Sequence, residues 1–249
     1  MNAKDDLENK LINSPHLVYA DEEIIILDKP AGWLTHADGR TNAPCVTDWL
    51  IKYFPEVATV GEMMKLDTGE MIARPGIVHR LDRGTSGVLV LARTAASYAS
   101  LKASFAARQV KKSYRLLVHG VMKKDEGLID SPIGRSKSDP RQRVVSPLGR
   151  AARTRYRVLA RFAAHTYLEA YPETGRTHQL RVHFKSIQHP ILGDALYAPR
   201  QLAAEEVLIS RPALHAFSLE LPGRLGRPHL FLSPLPADFF RALASLQSI

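Results

Sequence analysis

The stretch "VHRLDRGTSG", residues 78–87, places one carboxylate between two arginines. Asp82 lies between Arg80 and Arg83, glycines follow, and the apolar run "VLVLAR" comes directly after them. Nearby fixed positive charge favours the ionised form of a carboxylate and keeps it available as a nucleophile. However, an aspartate close to a glycine is more often a turn former, and a surface ion pair would give the same spacing. The charge pattern alone leaves a catalytic Asp82 open beside both structural interpretations.

A second stretch, "ETGRTHQLRVHF" at residues 173–184, combines a predicted helix with a cluster of cations. The pattern predicts a helix over 177–188 that is capped by Thr177. Three cations crowd its first turn: Arg176, His178 and Arg181. The helix dipole is already positive there, so the cations are expected to face an anion, either a phosphate or a partner carboxylate. The structural alternative pairs the arginines with Glu173 and Asp194.

Two further stretches are strongly basic. "RQVKKSYRLLVHG", residues 108–120, carries Tyr114 near the beginning of a predicted strand, where its ring could stack on a base or simply join the core. "GRSKSDPRQRVVSPLGRAART", residues 134–154, has Asp139 as its only acid and is predicted to be a mobile finger loop that contacts phosphates. The candidate RNA-binding cations in these stretches are Lys111, Lys112, Arg135, Lys137, Arg141 and Arg143.

The remaining pattern predicts the elements that must position these residues. The continuous apolar run over 87–93 indicates a strand that is covered on both faces, and Thr94 is expected to cap a helix over 94–109. Other strands are predicted at 23–28, 113–121, 152–162, 165–172, 213–222 and 228–236, and other helices at 46–54 and from 238 onward. Residues 38–76 are otherwise expected to be irregular. Because strands outnumber helices and neighbouring strands can pair antiparallel, an α+β class is favoured over regular βαβ units.

The composition narrows the class of protein. The chain has 249 residues, of which 45% are hydrophobic and 24% are charged, as in ordinary globular proteins. Lysine and arginine number 34 against 25 acidic residues, and the net charge of +9 favours a polyanionic partner, nucleic acid ahead of a membrane surface. Cys45 is the only cysteine, and neither a signal peptide nor an apolar stretch long enough for a bilayer is visible. These features predict a cytoplasmic protein without membrane partners.

Several other chemistries lack their sequence patterns. The chain has no GxxxxGK[ST] loop, no strand-linked GxGxxG, and ten histidines without metal-ligand spacing. We therefore predict no metal, no nucleotide and no other cofactor. Ser86, a histidine and an acidic residue could form the triad of a hydrolase, but "GTSGV" lacks the residues of a nucleophile elbow.

Taken together, these motifs resemble those of the RluA-type RNA pseudouridine synthases. "HRLDRGTSGVLVLAR" is similar to the catalytic motif of that family, and "LDKPAGWLTHA" resembles its amino-terminal signature. "KKSY", "TGRTHQLRVH", "HPILGDALY" and "ALHAFSLELP" are similar to its later motifs, in the same order. The resemblance covers residues 17–240 and predicts a tail or lead-in helix over 1–16, followed by a catalytic domain over 17–249. Many relatives carry an S4-type RNA-binding domain, for which too few residues precede the first motif here.

The resemblance also implies roles for individual residues. Asp82 matches the catalytic aspartate, Tyr114 the active-site tyrosine, and Arg181 the basic residue that pairs with the aspartate. Leu180 matches a residue that packs near the bound base. The substrate-binding candidates beside them are His79, Arg80, Arg83, Arg176 and His178. The implied fold is a bent, mainly antiparallel sheet with flanking helices and a central catalytic cleft.

The implied reaction is the isomerisation of uridine to pseudouridine in RNA, with ribosomal RNA favoured and transfer RNA close behind. Asp82 would attack the sugar or remove a proton from it, and the residues do not decide between the two routes. The target base must be flipped out, and Arg80 is placed to fill the gap that it leaves. The rival hypotheses are a non-catalytic RNA-binding factor and the Ser86 hydrolase. A monomer is the default expectation.

Overall fold

The computed structural model describes residues 14–66, 69–199, 202, 208–223 and 228–246. The chain divides into two compact units, Met1–Gln109 and Val110–Ile249. Most of the predicted amino-terminal tail lies outside the described residues, and a single catalytic domain over 17–249 stays a prediction. In the described ranges, no helix is long and apolar enough to cross a membrane.

The first unit contains a three-stranded antiparallel sheet, a separate hairpin and two helices. Its elements are β1 (His16–Ala20), β2 (Ile24–Lys29), α1 (Val46–Tyr53), a short 3₁₀ helix (Pro55–Thr59), β3 (Gly61–Lys65), β4 (Met71–Pro75), β5 (Ser86–Ala92) and α2 (Ala95–Ala106). The strand order of the sheet is β1-β2-β5, and β3 pairs with β4. Every residue of β5 is buried, as its continuous apolar run predicts.

In this unit the sequence predicted the beginning of α2 correctly but missed the β3–β4 hairpin. Thr94 caps α2 as predicted, since its hydroxyl accepts from the backbone of Ser97 and the Ser97 hydroxyl accepts from the backbone of Thr94. The prediction that residues 38–76 are irregular outside the first helix was wrong, because they contain the β3–β4 hairpin. Both hairpin strands are mostly exposed, so no buried face imposes an alternation of apolar and polar residues on the sequence.

The second unit is built on a larger antiparallel sheet. Its elements are β6 (Lys111–His119), β7 (Glu126–Asp130), β8 (Ile133–Arg135), β9 (Arg143–Val145), β10 (Arg153–Arg161), β11 (His165–Pro172), α3 (Gln179–Ser186), β12 (Leu214–Leu221), β13 (His229–Leu232) and α4 (Ala237–Ala244). The strand order is β13-β12-β6-β11-β10-β7. Sheet residues, α3 and α4 share one hydrophobic core, which includes Leu116, Leu168, Phe184 and Phe239. The α+β class with mainly antiparallel strands is confirmed.

The beginning of α3 differs from the prediction. The helix starts at Gln179, its N-cap is His178 in the left-handed conformation (φ 57°), and no side chain caps it. The Thr177 cap was therefore wrong. The reason is a separate turn, in which the Gln179 side chain accepts from the Thr174 hydroxyl at 2.7 Å and from the Arg176 backbone N–H at 3.0 Å. This buried amide organises the segment before the helix in place of a Thr177 hydroxyl.

The basic segment after β7 is more regular than expected. Strands β8 and β9 pair antiparallel within it. A turn then joins Gly149 to Ser146 through a 2.8 Å backbone hydrogen bond. A Cβ atom on Gly149 would lie 2.4 Å from the carbonyl carbon of Ile133, so the close approach of the two segments requires glycine there. We refer to residues 133–150 as the basic hairpin.

The outer face of β10 carries arginines, and acidic residues pair with them. Arg155 and Arg157 are exposed on either side of the buried Tyr156. Four ion pairs cover this face: Arg153 with Asp130 at 3.1 Å and with Glu173 at 3.6 Å, Arg155 with Glu173 at 2.6 Å, and Arg157 with Glu169 at 3.4 Å. The alternation of faces holds as far as Val158, where a bulge interrupts the register with β11.

Candidate active site

Asp82 is half-buried in the loop that precedes β5, and residues after β2 hold this loop from the side. The Gly32 N–H donates to the Arg83 carbonyl at 2.8 Å. The Thr35 hydroxyl donates to the Leu81 carbonyl at 2.9 Å and lies 3.2 Å from the Leu81 backbone nitrogen. Backbone groups on both sides of Asp82 are therefore fixed by contacts with residues about 50 positions earlier in the chain.

A buried lysine supports the segment that makes these contacts. The Nζ of Lys29 is 3.0 Å from the Pro30 carbonyl and 2.8 Å from the Trp33 carbonyl, and the residue is fully buried. An ammonium group without hydrogen bonds would be costly in this position, so these carbonyls must turn inward. The motif "LDKPAGWLTHA" pointed to this segment, but its function as a support for the Asp82 loop is visible only in the structure.

Neither arginine beside Asp82 forms an ion pair with it. The Nε of Arg83 donates to the Gly32 carbonyl at 3.1 Å, and Nη1 of Arg80 lies 3.2 Å from Nε2 of His36. Within the described part of the chain, no carboxylate lies at ion-pair distance from either arginine. The alternative of a surface ion pair between Asp82 and its sequence neighbours is therefore wrong.

The other candidates on this loop are part of its packing. His79 accepts the Val90 backbone N–H at Nε2 over 3.1 Å, and its ring stacks on Phe105 with the centroids 4.7 Å apart. This places His79 between β5 and α2. Ser86, the nucleophile of the rival hydrolase, is 2% exposed at the beginning of β5. Its burial argues against attack on a substrate from solution.

In the second unit, a buried ion pair fixes Arg181 on α3. Its Nε and Nη2 donate to the two carboxylate oxygens of Asp194, each over 2.7 Å. The guanidinium carbon also lies 4.9 Å from the centre of the Tyr197 ring. A bidentate pair of this kind sets both the position and the plane of the guanidinium. The ion pair between Arg181 and Asp194, which the sequence offered as an alternative to anion binding, is therefore present.

Local backbone geometry presents Asp194 to this arginine. Gly193 has φ 71°, and a Cβ atom there would lie 2.2 Å from the Arg211 carbonyl oxygen, so only glycine fits. The fully buried Asp194 carboxylate also accepts the Leu196 backbone N–H at 3.2 Å. Three donors therefore compensate the buried charge of Asp194.

Tyr197 connects this pair to the N-cap of α3 and to the basic hairpin. Its hydroxyl accepts the Arg143 backbone N–H at 2.8 Å and lies 2.8 Å from Nδ1 of His178. The left-handed backbone of His178 directs its ring to this hydroxyl, and such strain in a residue other than glycine persists only where surrounding contacts hold it. Tyr197 is the last residue of the motif "HPILGDALY", and the sequence predicts no function for it.

Three remaining candidates of this unit have distinct surroundings. Tyr114 is half-buried near the beginning of the central strand β6 and packs against the hydrophobic core. Leu180 is 5% exposed and belongs to the same core. The Nε of Arg176 donates to the Ala151 carbonyl at 3.1 Å. Tyr114 and Leu180 are therefore fixed by packing, whereas Arg176 is fixed by a backbone carbonyl.

The candidate RNA-binding cations differ in how much positive charge they present. Lys111 pairs with Glu220 at 2.7 Å, and Arg141 pairs with Asp139 at 2.8 Å. Burial lowers the pKa of the half-buried Lys112. Arg143 donates to the carbonyls of Pro140 and Gln142 over 3.1 Å each. Among these candidates, Arg135 and Lys137 of the basic hairpin are exposed and have no ion pair with a described residue.

Comparisons with known proteins identify the family. Residues 23–186 match the model of the RNA pseudouridylate synthase family. An uncharacterized RNA pseudouridine synthase of Chloroflexus aurantiacus is 44% identical over 222 residues, which are 88% of this chain and 66% of that protein. The ribosomal large subunit pseudouridine synthase D of Pseudomonas aeruginosa is 38% identical over 241 residues, which are 93% of this chain and 71% of that protein.

A solved structure agrees with these matches. Human RNA pseudouridylate synthase domain containing 4 superimposes with a TM-score of 0.72 at 25% identity and covers 97% of this chain and 96% of its own. The chain belongs to the RNA pseudouridylate synthase family. It spans about two thirds of the length of two curated relatives that it matches, 66% of one and 65% of the other.

Proposed function

We propose that this chain is an RNA pseudouridine synthase that isomerises uridine in structured RNA. The observation that carries the proposal is the family motif around Asp82, whose carboxylate lies half-buried on a loop that hydrogen bonds hold on both sides. In the reaction, the bond between N1 of uracil and C1′ of ribose breaks and a bond between C5 and C1′ forms. The C5 proton is lost and N1 gains one, so the reaction consumes no oxidant or other reactant.

Asp82 is the proposed catalytic residue. Its carboxylate would attack the ribose as positive charge develops there, or would remove a ribose proton in an elimination. By the family resemblance, Arg181 would keep the carboxylate ionised and oriented. Tyr114 would stack on the uracil while the base turns, and Leu180 would pack near it. The role of each of these four residues is a proposal that rests on the family resemblance.

Ribosomal RNA is the proposed substrate, with transfer RNA as the second candidate. Relatives from Nitrosomonas europaea and Pseudomonas aeruginosa are both named ribosomal large subunit pseudouridine synthase D, which supports this order. The exposed cations of the basic hairpin would bind phosphates of that RNA. A cytoplasmic location and a monomeric state stay predictions from the sequence.

Tritium release tests the proposal directly. Ribosomal and transfer RNA would be transcribed separately with tritium at C5 of uridine and incubated with the wild-type protein, Asp82→Asn and Ser86→Ala. We expect release with the wild type and Ser86→Ala, and none above background with Asp82→Asn. Release that survives in Asp82→Asn would place the nucleophile elsewhere. Absence of release on RNA that the protein binds would favour a non-catalytic binding factor.

Arg80 is proposed to fill the gap that the flipped uridine leaves. Its side chain is exposed and forms no ion pair with a described carboxylate, so its positive charge can interact with RNA. Arg80→Ala should slow tritium release from a structured stem-loop far more than release from a short single strand, where no stack has to be opened. Equal losses on both substrates would exclude this role.

A further inference from the structure

The environment of His36 defines the protonation state of its ring. His36 is 3% exposed, its Nδ1 lies 2.8 Å from the Ala37 carbonyl oxygen, and its Nε2 lies 3.2 Å from Nη1 of Arg80. A carbonyl oxygen can only accept a hydrogen bond, so Nδ1 must carry a hydrogen. A guanidinium can only donate, so Nε2 must be without one. Only the neutral imidazole with its hydrogen on Nδ1 satisfies both contacts.

The charged groups around His36 favour this neutral form. Burial lowers the pKa of His36 from its ordinary value of 6.5, and the cations Arg80 and Arg74 lower it further. The Ala37 carbonyl and Asp38 act in the opposite direction, but the net shift is downward. At neutral pH the ring is therefore an acceptor for Arg80. Protonation would place an N–H against the N–H of the guanidinium.

A neutral acceptor has a particular consequence for Arg80. A carboxylate in the same position would neutralise the guanidinium, whereas a neutral imidazole orients it and leaves its charge available to an anion. Arginine side chains lose substantial rotamer entropy when they bind, and fixing the rotamer beforehand reduces that cost. Because Arg80 is exposed beyond its contact with the buried His36, it can meet RNA while it remains anchored.

We propose that His36 is a positioning residue that holds the Arg80 side chain ready for structured RNA and releases it when the imidazole is protonated. This inference rests on the proposed pseudouridine synthase activity. It adds a residue that lies 44 positions from Arg80 in the chain and does not itself have to touch the substrate.

A double-mutant cycle tests whether His36 acts through Arg80. Tritium release from a structured stem-loop would be measured at pH 7.5 for the wild type, His36→Phe, Arg80→Ala and the double variant. We expect His36→Phe to lower kcat/KM by roughly tenfold, as for the loss of one hydrogen bond to a charged group. In the Arg80→Ala background the same change should have no further effect. Independent losses that multiply in the double variant would overturn the proposal.

The conservative variant His36→Gln separates positioning from packing. Its amide oxygen can accept from Arg80 near the place of Nε2 but cannot be protonated, so activity at pH 7.5 should stay within about twofold of the wild type. As the pH decreases from 7.5 to values below the ordinary pKa of histidine, the wild type should lose activity on the stem-loop relative to a short single strand, and His36→Gln should not. His16→Gln, at the exposed beginning of β1, is the matched histidine control and should keep the wild-type profile.

The outcomes distinguish this inference from the proposed function. If the wild type releases no tritium from RNA that it binds, the proposed function fails. If the wild type is active but His36→Gln shows the same acid loss as the wild type, the release of Arg80 by protonation of His36 fails, and if the losses multiply in the double variant, the positioning role fails. Thermal unfolding of each variant reports whether the phenylalanine also weakens the fold, and the cycle remains interpretable because both backgrounds carry the same change.

Discussion

The Asp82 loop and the Arg181 helix are positioned in opposite ways. Hydrogen bonds to backbone groups on both sides of the half-buried Asp82 hold the loop. On α3, the candidate side chain takes part in the packing, because a fully buried carboxylate binds Arg181 through both oxygens. The difference leads us to expect that a change at Asp82 affects mainly activity, because the contacts described for its loop are made by neighbouring groups, whereas a change at Arg181 affects activity and stability together.

The largest effect on activity is expected at Asp82. Asp82→Asn keeps the size of the side chain and should reduce tritium release by about 10³-fold or more, since it removes the reacting group. The free energy of unfolding, measured by urea denaturation, should change by less than about 1 kcal/mol. A large loss of stability would show that Asp82 supports the loop and would remove the contrast between the two regions.

A change at Arg181 should affect both properties together. Arg181→Met leaves the Asp194 carboxylate buried without its bidentate partner, so we expect about 3–5 kcal/mol of lost stability as well as lost activity. Arg181→Lys is the control, because it retains a charge but not the bidentate geometry, and it should retain part of the stability. Urea denaturation and tritium release on the same samples would check this. Full stability of Arg181→Met would mean that the Asp194 pair contributes nothing to folding.

A buried histidine should make the fold sensitive to acid. Burial lowers the pKa of His215 from 6.5 to about 4, while its Nε2 lies 2.9 Å from the Ser233 carbonyl. Between these pH values the unfolded chain binds a proton that the folded chain does not, so stability falls as pH decreases from about 6.5 to 4. The loss amounts to something on the order of 3 kcal/mol from this residue.

The matched variant for this prediction is His215→Gln, which can still donate to the Ser233 carbonyl but does not titrate. Its stability, measured by urea denaturation at pH 7 and pH 4.5, should depend less on pH than that of the wild type. An unchanged pH dependence would assign the acid sensitivity to other groups, such as His183, whose pKa burial also lowers.

The smallest effects are expected from surface cations, where the contrast is between unpaired and paired charge. Replacing Arg135 and Lys137 by serine should reduce the slope of log K against log salt by about 1–2, since each would neutralise a phosphate. Replacing Arg155 and Arg157 by serine should change this slope little, because both are already paired with acids. Filter binding to the stem-loop RNA at several salt concentrations would compare the two double variants, and equal slopes would contradict the assignment.

Elements with strong local signals were predictable from the sequence. The continuous apolar run of β5 and the Thr94 cap of α2 each depend on neighbouring residues, and both are present as expected. The β3–β4 hairpin and the true N-cap of α3 were missed. The hairpin lacks a buried face, and the beginning of α3 depends on the buried amide of Gln179 together with contacts of His178 to the distant Tyr197.

The sequence by itself determined the family, the candidate Asp82 and the excess of positive charge, since residue types and their order are sufficient for these. Only the tertiary structure decided which charged side chains are paired and with which groups. Two arginines beside Asp82 in sequence bind a histidine and a carbonyl, and the arginines of β10 are neutralised while Arg135 and Lys137 are not. Ion pairs and hydrogen bonds act over a few ångströms through space, and separation along the chain does not fix that distance.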